Sequence, residues 1–168
     1  MIGTVAPLSR TRRGFSLVEL IAVMVVLAIL AGVAAPRFFS YGSDAKSSAL
    51  QGTLGGVRTG MANFFANASI EGEAAYPTYE ELTTVGTVMQ EDIPENPYTG
   101  IKGVQKITDK TAADKRAVAQ PNKYGWNYFV DNTADPPVAI FWANSKDETR
   151  VLEKSNKNGE KYYLANEI

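Results

Sequence analysis

The chain has no cysteine and no histidine in 168 residues. Without cysteine there is no disulfide and no thiolate metal site. Without histidine there is no His-based triad, no imidazole ligand and no histidine pH switch. Basic residues are missing from Glu71 to Glu95, a stretch that carries seven acids. Acids are missing from the first fourteen residues, whose charges are Arg10, Arg12 and Arg13. Polar side chains are missing from Leu20 to Ala35. Over the whole chain 17 basic residues face 18 acidic ones. That balance leaves no overall basic footprint, and no nucleic-acid partner is expected. The length allows one modest globular domain in addition to an apolar helix.

What is present starts with that apolar run. It extends from Phe15 to Ala35, is interrupted by Glu19, and closes at Pro36. A membrane-crossing helix needs about 20 mostly apolar residues. The competing reading is a secretory signal peptide, with Ala31 and Ala34-Ala35 resembling a small-residue cleavage site. The run is longer than the usual core of such a signal, and a carboxylate near its start has no use there. The three arginines ahead of it fit the positive-inside rule, with the leader in the cytoplasm and the remainder on the other side.

Gly14-Phe15-Ser16-Leu17-Val18-Glu19-Leu20, behind a basic leader and ahead of the apolar run, resembles the prepilin cleavage and methylation motif. Type IV pilins and type II secretion pseudopilins carry it. The resemblance covers roughly Arg12 to Pro36. It implies that a membrane peptidase cuts between Gly14 and Phe15, and that Phe15 is then N-methylated. It also implies partners: the prepilin peptidase, an inner-membrane assembly platform, and identical or related subunits. The implied location is the bacterial inner membrane, single-pass, with the head in the periplasm or outside, and then a filament. Losing three leader arginines leaves fourteen basic and eighteen acidic residues, net −4.

Glu19 is an expensive residue in such a helix. A charge at the bilayer centre costs at least about 2.5–3.5 kcal/mol, and less near the ends. Cleavage would create an amine at Phe15, four residues and about 6 Å away along the axis. The amine sits at the helix tip, which predicts that it cannot fold back onto its own Glu19. A neighbouring helix displaced by about one turn can present its amine instead. Glu19 is therefore the candidate assembly residue; the alternative is a carboxylate that snorkels to the headgroups.

Past Pro36, residues Leu50, Leu54, Val57, Met61, Phe64 and Ala68 recur at spacings of three and four, one buried helical stripe. A helix continuous from Phe15 to about Ala68 is predicted, apolar in its first half (15–36) and amphipathic in its second (37–70). Ser48, Gly52, Gly56 and Gly60 form a smooth strip on it. The strip serves close packing, on the domain's own strands or on a neighbour, or it interrupts the helix. Gly32 and Pro36 mark a weak place, which the resemblance links to local unwinding in filaments. Gly72 is the predicted left-handed cap.

The head occupies 71–168. Residues 71–123 read as a loop region with a short helix within Tyr79–Met89 and turns over Pro94–Gly100. Leu82 and the later Asn96-Pro97-Tyr98-Thr99-Gly100 resemble the loop between helix and sheet of pseudopilin-like proteins. Lys102–Lys123 reads as a polar surface loop. Residues 124–168 read as an antiparallel sheet of three or four strands: Tyr124–Val130, Val138–Asn144, Thr149–Glu153 and Lys161–Ala165, with a turn at Asn158-Gly159. Trp126, Phe129, Phe141 and Trp142 are predicted core. The fold class is α+β: a long N-terminal helix on a small antiparallel sheet, pilin-like.

Chemistry beyond assembly is thin. No catalytic pairing is recognisable, and no catalytic residue, cofactor or metal site is assigned. Asp131, Asp135, Asp147 and Glu148 lie in the late loops. The major pseudopilin of type II secretion binds calcium in such loops, and calcium takes oxygen ligands; solvated turn acids are the default reading here. In a filament the acidic stretch Glu71–Glu95 and the basic stretch Lys102–Lys123 could meet across subunits; the default reading is that they face each other within one subunit or stay solvated. The function expected is a structural subunit of a type II secretion pseudopilus. The alternatives are a type IV pilin for adhesion, motility or DNA uptake, and a non-assembling membrane-anchored binding protein or enzyme.

Overall fold

The computed structural model describes residues 14–152 and 161–168. The leader arginines, Glu153 and the Asn158-Gly159 turn lie outside the described residues. The chain divides into two compact units, Met1–Ser40 and Tyr41–Ile168.

Helix α1 is Leu17–Ile70, 54 residues, and it runs through Gly32 and Pro36 without interruption. In the first unit its described large apolar side chains are exposed. Leu17–Ala35 has a mean hydropathy of 2.8, long and apolar enough to cross a membrane. In the second unit the first four members of the stripe, Leu50, Leu54, Val57 and Met61, are buried as expected, while Phe64 and Ala68 are half-buried. The helix stops in a Schellman arrangement. The Glu73 amide donates to the Ala68 carbonyl at 2.9 Å and the Gly72 amide to Ser69 at 3.2 Å. Gly72 takes φ +90°, which a side chain resists.

Helix α2 is Tyr79–Thr83, inside the stretch expected to hold a short helix. It begins in a capping box, the Glu81 amide donating to the Thr78 hydroxyl and the Thr78 amide to the Glu81 carboxylate. Strand β1 is Val104–Ile107 and helix α3 is Lys110–Asp114, capped by Asp109. Both fall in the segment expected to be a surface loop, which corrects that reading. Val104 is buried against α1's stripe, while Ile107 packs on the opposite face.

Strands β2 (Trp126–Asp131) and β3 (Val138–Ala143) form the expected antiparallel hairpin, with Trp126 opposite Ala143 and Phe129 opposite Ile140. Strand β1 pairs with β2 in parallel, Val104 opposite Trp126. The sheet is therefore mixed, ordered β1-β2-β3. Strands β4 (Glu148–Leu152) and β5 (Tyr162–Leu164) pair with each other in a separate two-stranded sheet. The single antiparallel sheet of three or four strands is thus corrected to two sheets, within the α+β class.

Alternation along the strands gives the main sheet two covered faces. Trp126, Tyr128, Phe141 and Ala143 join Leu50, Leu54 and Val57 of α1 in one cluster. Phe129 and Trp142 pack with Ala113 of α3 in another. The indole N–H groups are satisfied, Trp126 by the Pro94 carbonyl at 2.8 Å and Trp142 by Ala117 at 3.2 Å. The four aromatic residues expected in the core are in it.

Candidate functional site

Gly14 and Phe15 precede α1. A Cβ on Gly14 would meet nothing within 4 Å. Among the described residues nothing packs against that position. Phe15 is 85% exposed. The apolar residues behind it are exposed as well, every large one from Leu17 to Val33 by at least half, the least being Ile21 and Val25 at 52%.

Glu19 has a local partner that the sequence reading did not name. Its carboxylate accepts from the Ser16 backbone amide at 2.8 Å, and its own amide donates to the Ser16 hydroxyl at 3.2 Å. Ser16-Leu17-Val18-Glu19 is a capping box, with Ser16 as the cap and Glu19 three residues on. The carboxylate bends back over the first turn, as side chains in a helix lean toward the N-terminus, and stops one residue short of Phe15. The S-x-x-E spacing was the signal in the sequence that gave this contact.

The smooth strip splits. A Cβ at Gly60 would lie 3.0 Å from Met89 Sδ and 3.2 Å from the Val88 carbonyl, so Gly60 serves packing inside the head. Gly52 and Gly56 face open space.

Of the late-loop acids, Asp131 and Asp147 serve turns, and Glu148 opens strand β4. The Asp131 carboxylate accepts from the Thr133 amide at 3.0 Å, the Thr133 hydroxyl at 2.7 Å and the Ala134 amide at 3.2 Å. These bonds, the Thr133 hydroxyl first, hold its carboxyl below the usual range. The Ser145 hydroxyl donates to Asp147. Among the described residues no group of three or more acids is arranged to hold a metal ion.

The oppositely charged segments meet once within the chain, Lys106 Nζ to Glu80 Oε1 at 3.4 Å. Glu80's carboxyl is held below its usual value by its own backbone amide and, less, by Lys106. A groove of about 210 Å³ lies between Leu82–Val85 and Lys102–Val104, with Glu91 and Asp92 on its wall. No described hydrogen bond joins two of its polar side chains into a catalytic pair.

Residues 9–35 match the family described as the prokaryotic N-terminal methylation motif. This is the prepilin-type signature of type IV pilins and pseudopilins, and Gly14, Phe15 and Glu19 all lie inside it. No curated protein and no solved structure gave a match. The motif and the apolar helix fit a membrane-anchored subunit of the pilin-like or pseudopilin-like kind in general. Such a motif implies processing by a prepilin peptidase and assembly with pilin subunits.

Proposed function

We propose that this prepilin-type chain is a pseudopilin of a type II secretion system, a structural subunit and not an enzyme. The observation that carries assembly is an apolar helix with one carboxylate, set four residues behind the glycine-phenylalanine junction. The peptidase cuts after Gly14 and Phe15 is methylated. The helix stores the subunit in the inner membrane, leader inside and head outside, until an assembly platform extracts it. In storage Ser16 satisfies Glu19 within its own chain. In the fibre Glu19 takes the Phe15 amine of a neighbour displaced by about one turn.

The secretion reading is supported by the turn Asn96–Gly100. Asn96 is fully buried, its side-chain amide donates to Gly125 at 2.8 Å, and its backbone amide donates to Ile101 at 3.0 Å. This is a built corner at the place where pseudopilin-like proteins carry their loop. Gene deletion tests it. Loss of export into the medium, without loss of long surface fibres, is the expected result. Lost surface fibres, adhesion, motility or DNA uptake with export intact would make the chain a type IV pilin instead.

A further inference from the structure

Among the described residues, two arginines of the head have no acid as partner. Arg58, half-buried on α1, donates from Nη2 to the Phe141 carbonyl of β3 at 3.1 Å. Arg116 donates from Nη1 to the Glu167 carbonyl in the 3-10 turn Ala165–Glu167. That turn packs on β3, and Asn166 within it donates back to the Arg116 carbonyl at 2.9 Å. The two guanidinium groups are therefore anchored around one strand. Burial, and then repulsion from Arg116, lowers the pKa of Arg58. Among the described residues no carboxylate lies within ion-pair distance of either arginine. A guanidinium offers five N–H donors in a fork that fits a carboxylate. Each has spent one here on a carbonyl.

The complementary feature is at the end of α1. Glu71 and Glu73 are exposed and flank Gly72, whose Schellman bonds fix the backbone beneath them. They sit at the negative end of the helix dipole, and the last turn holds no basic residue. Two carboxylates in that position gain from a cation supplied from outside. Arg58 and Glu71 are thirteen residues apart on one helix, about 20 Å, too far to meet within one copy. A parallel copy displaced along the axis by about that length brings one beside the other.

We propose that Arg58 and Arg116 of one copy dock the Glu71 and Glu73 carboxylates of a second copy. The proposal rests on the filament reading above and assigns the second copy, not a lipid phosphate or a free anion, as the occupant. Its test uses the full chain in an assembling host, reading sheared filament yield, cleavage and membrane fraction together. Arg58→Glu should lower filament yield by about tenfold or more, with cleavage and membrane fraction unchanged. Glu71→Lys with Glu73→Lys should do the same. Combining both lysine changes with Arg58→Glu and Arg116→Glu, so that all four charges are exchanged, should restore most of the yield, a result that misfolding cannot produce. Arg58→Gln keeps a donor for the Phe141 carbonyl and should lie in between. Normal assembly of Arg58→Glu, or no restoration by the combined swap, overturns the docking. Restoration by added phosphate or anionic lipid in place of the swap also overturns it. A wild-type chain that forms no filament removes the filament reading itself, which sets that failure apart from the others.

Discussion

On the proposed reading the peptidase requires glycine at position 14, where the described residues leave open space. Gly14→Leu should fold and insert as before and keep its leader. Mass spectrometry finding a methylated Phe15 on that variant would contradict the assignment. Glu19→Ala removes a charge from an apolar helix, so insertion should be unchanged or slightly better. It also removes the acceptor for the Ser16 amide, which fraying of the first turn can tolerate. Assembly should fall sharply, because each neighbour's Phe15 amine enters the bundle unpaired. Leaving one member of a buried ion pair costs about 3–5 kcal/mol, repeated at every subunit. Glu19→Asp, with its charge kept and reach shortened, should be intermediate; sheared filament yield for the three forms decides. Asp131 makes a pH prediction. Its folded pKa lies below the ordinary 3.8. Its stabilising contribution is therefore complete above that ordinary value and is lost as pH falls through the lowered one. Asp131→Asn should flatten the acid limb of head stability below about pH 4, read by thermal unfolding across pH.

Among the elements, α1's second half carries the head. Leu54 is 1% exposed, and Leu54→Ala should cost about 2–5 kcal/mol in urea unfolding. Gly56→Ala, with open space around it, should gain about 1 kcal/mol, whereas Gly60→Ala must displace Met89 and the Val88 carbonyl and should gain nothing. The stripe on α1 was legible because a helix repeats its core contacts every three or four residues. The β2–β3 hairpin was legible because its aromatic strands adjoin in sequence. Strand β1 was not. It has four residues, two of them apolar and on opposite faces, between lysines. Its parallel partner lies far along the chain, and no local turn announces it. Helix α3 was hidden for a similar reason, since one alanine, Ala113, is its buried residue. The capping box at Ser16 and Glu19 was written in the spacing. It was obscured because a carboxylate in an apolar run draws the search toward distant partners before local ones.

For the whole molecule, function follows from having two dissimilar parts. The first part exposes apolar side chains that only lipid or other helices can cover. The second, Tyr41–Ile168, buries its own core between α1 and α3. Removing residues 1 to about 40 should leave a soluble head that unfolds cooperatively; a fragment without a cooperative transition would count against this division. The central claim is that this chain becomes a filament subunit by losing its leader at Gly14. The most direct test is the intact mass of the subunit recovered from shear-released filaments. The account predicts a chain of 154 residues, 168 less the leader of fourteen, beginning at Phe15 and carrying one added methyl group. Filaments built from the uncleaved chain, or a mature chain beginning at any other residue, would contradict it.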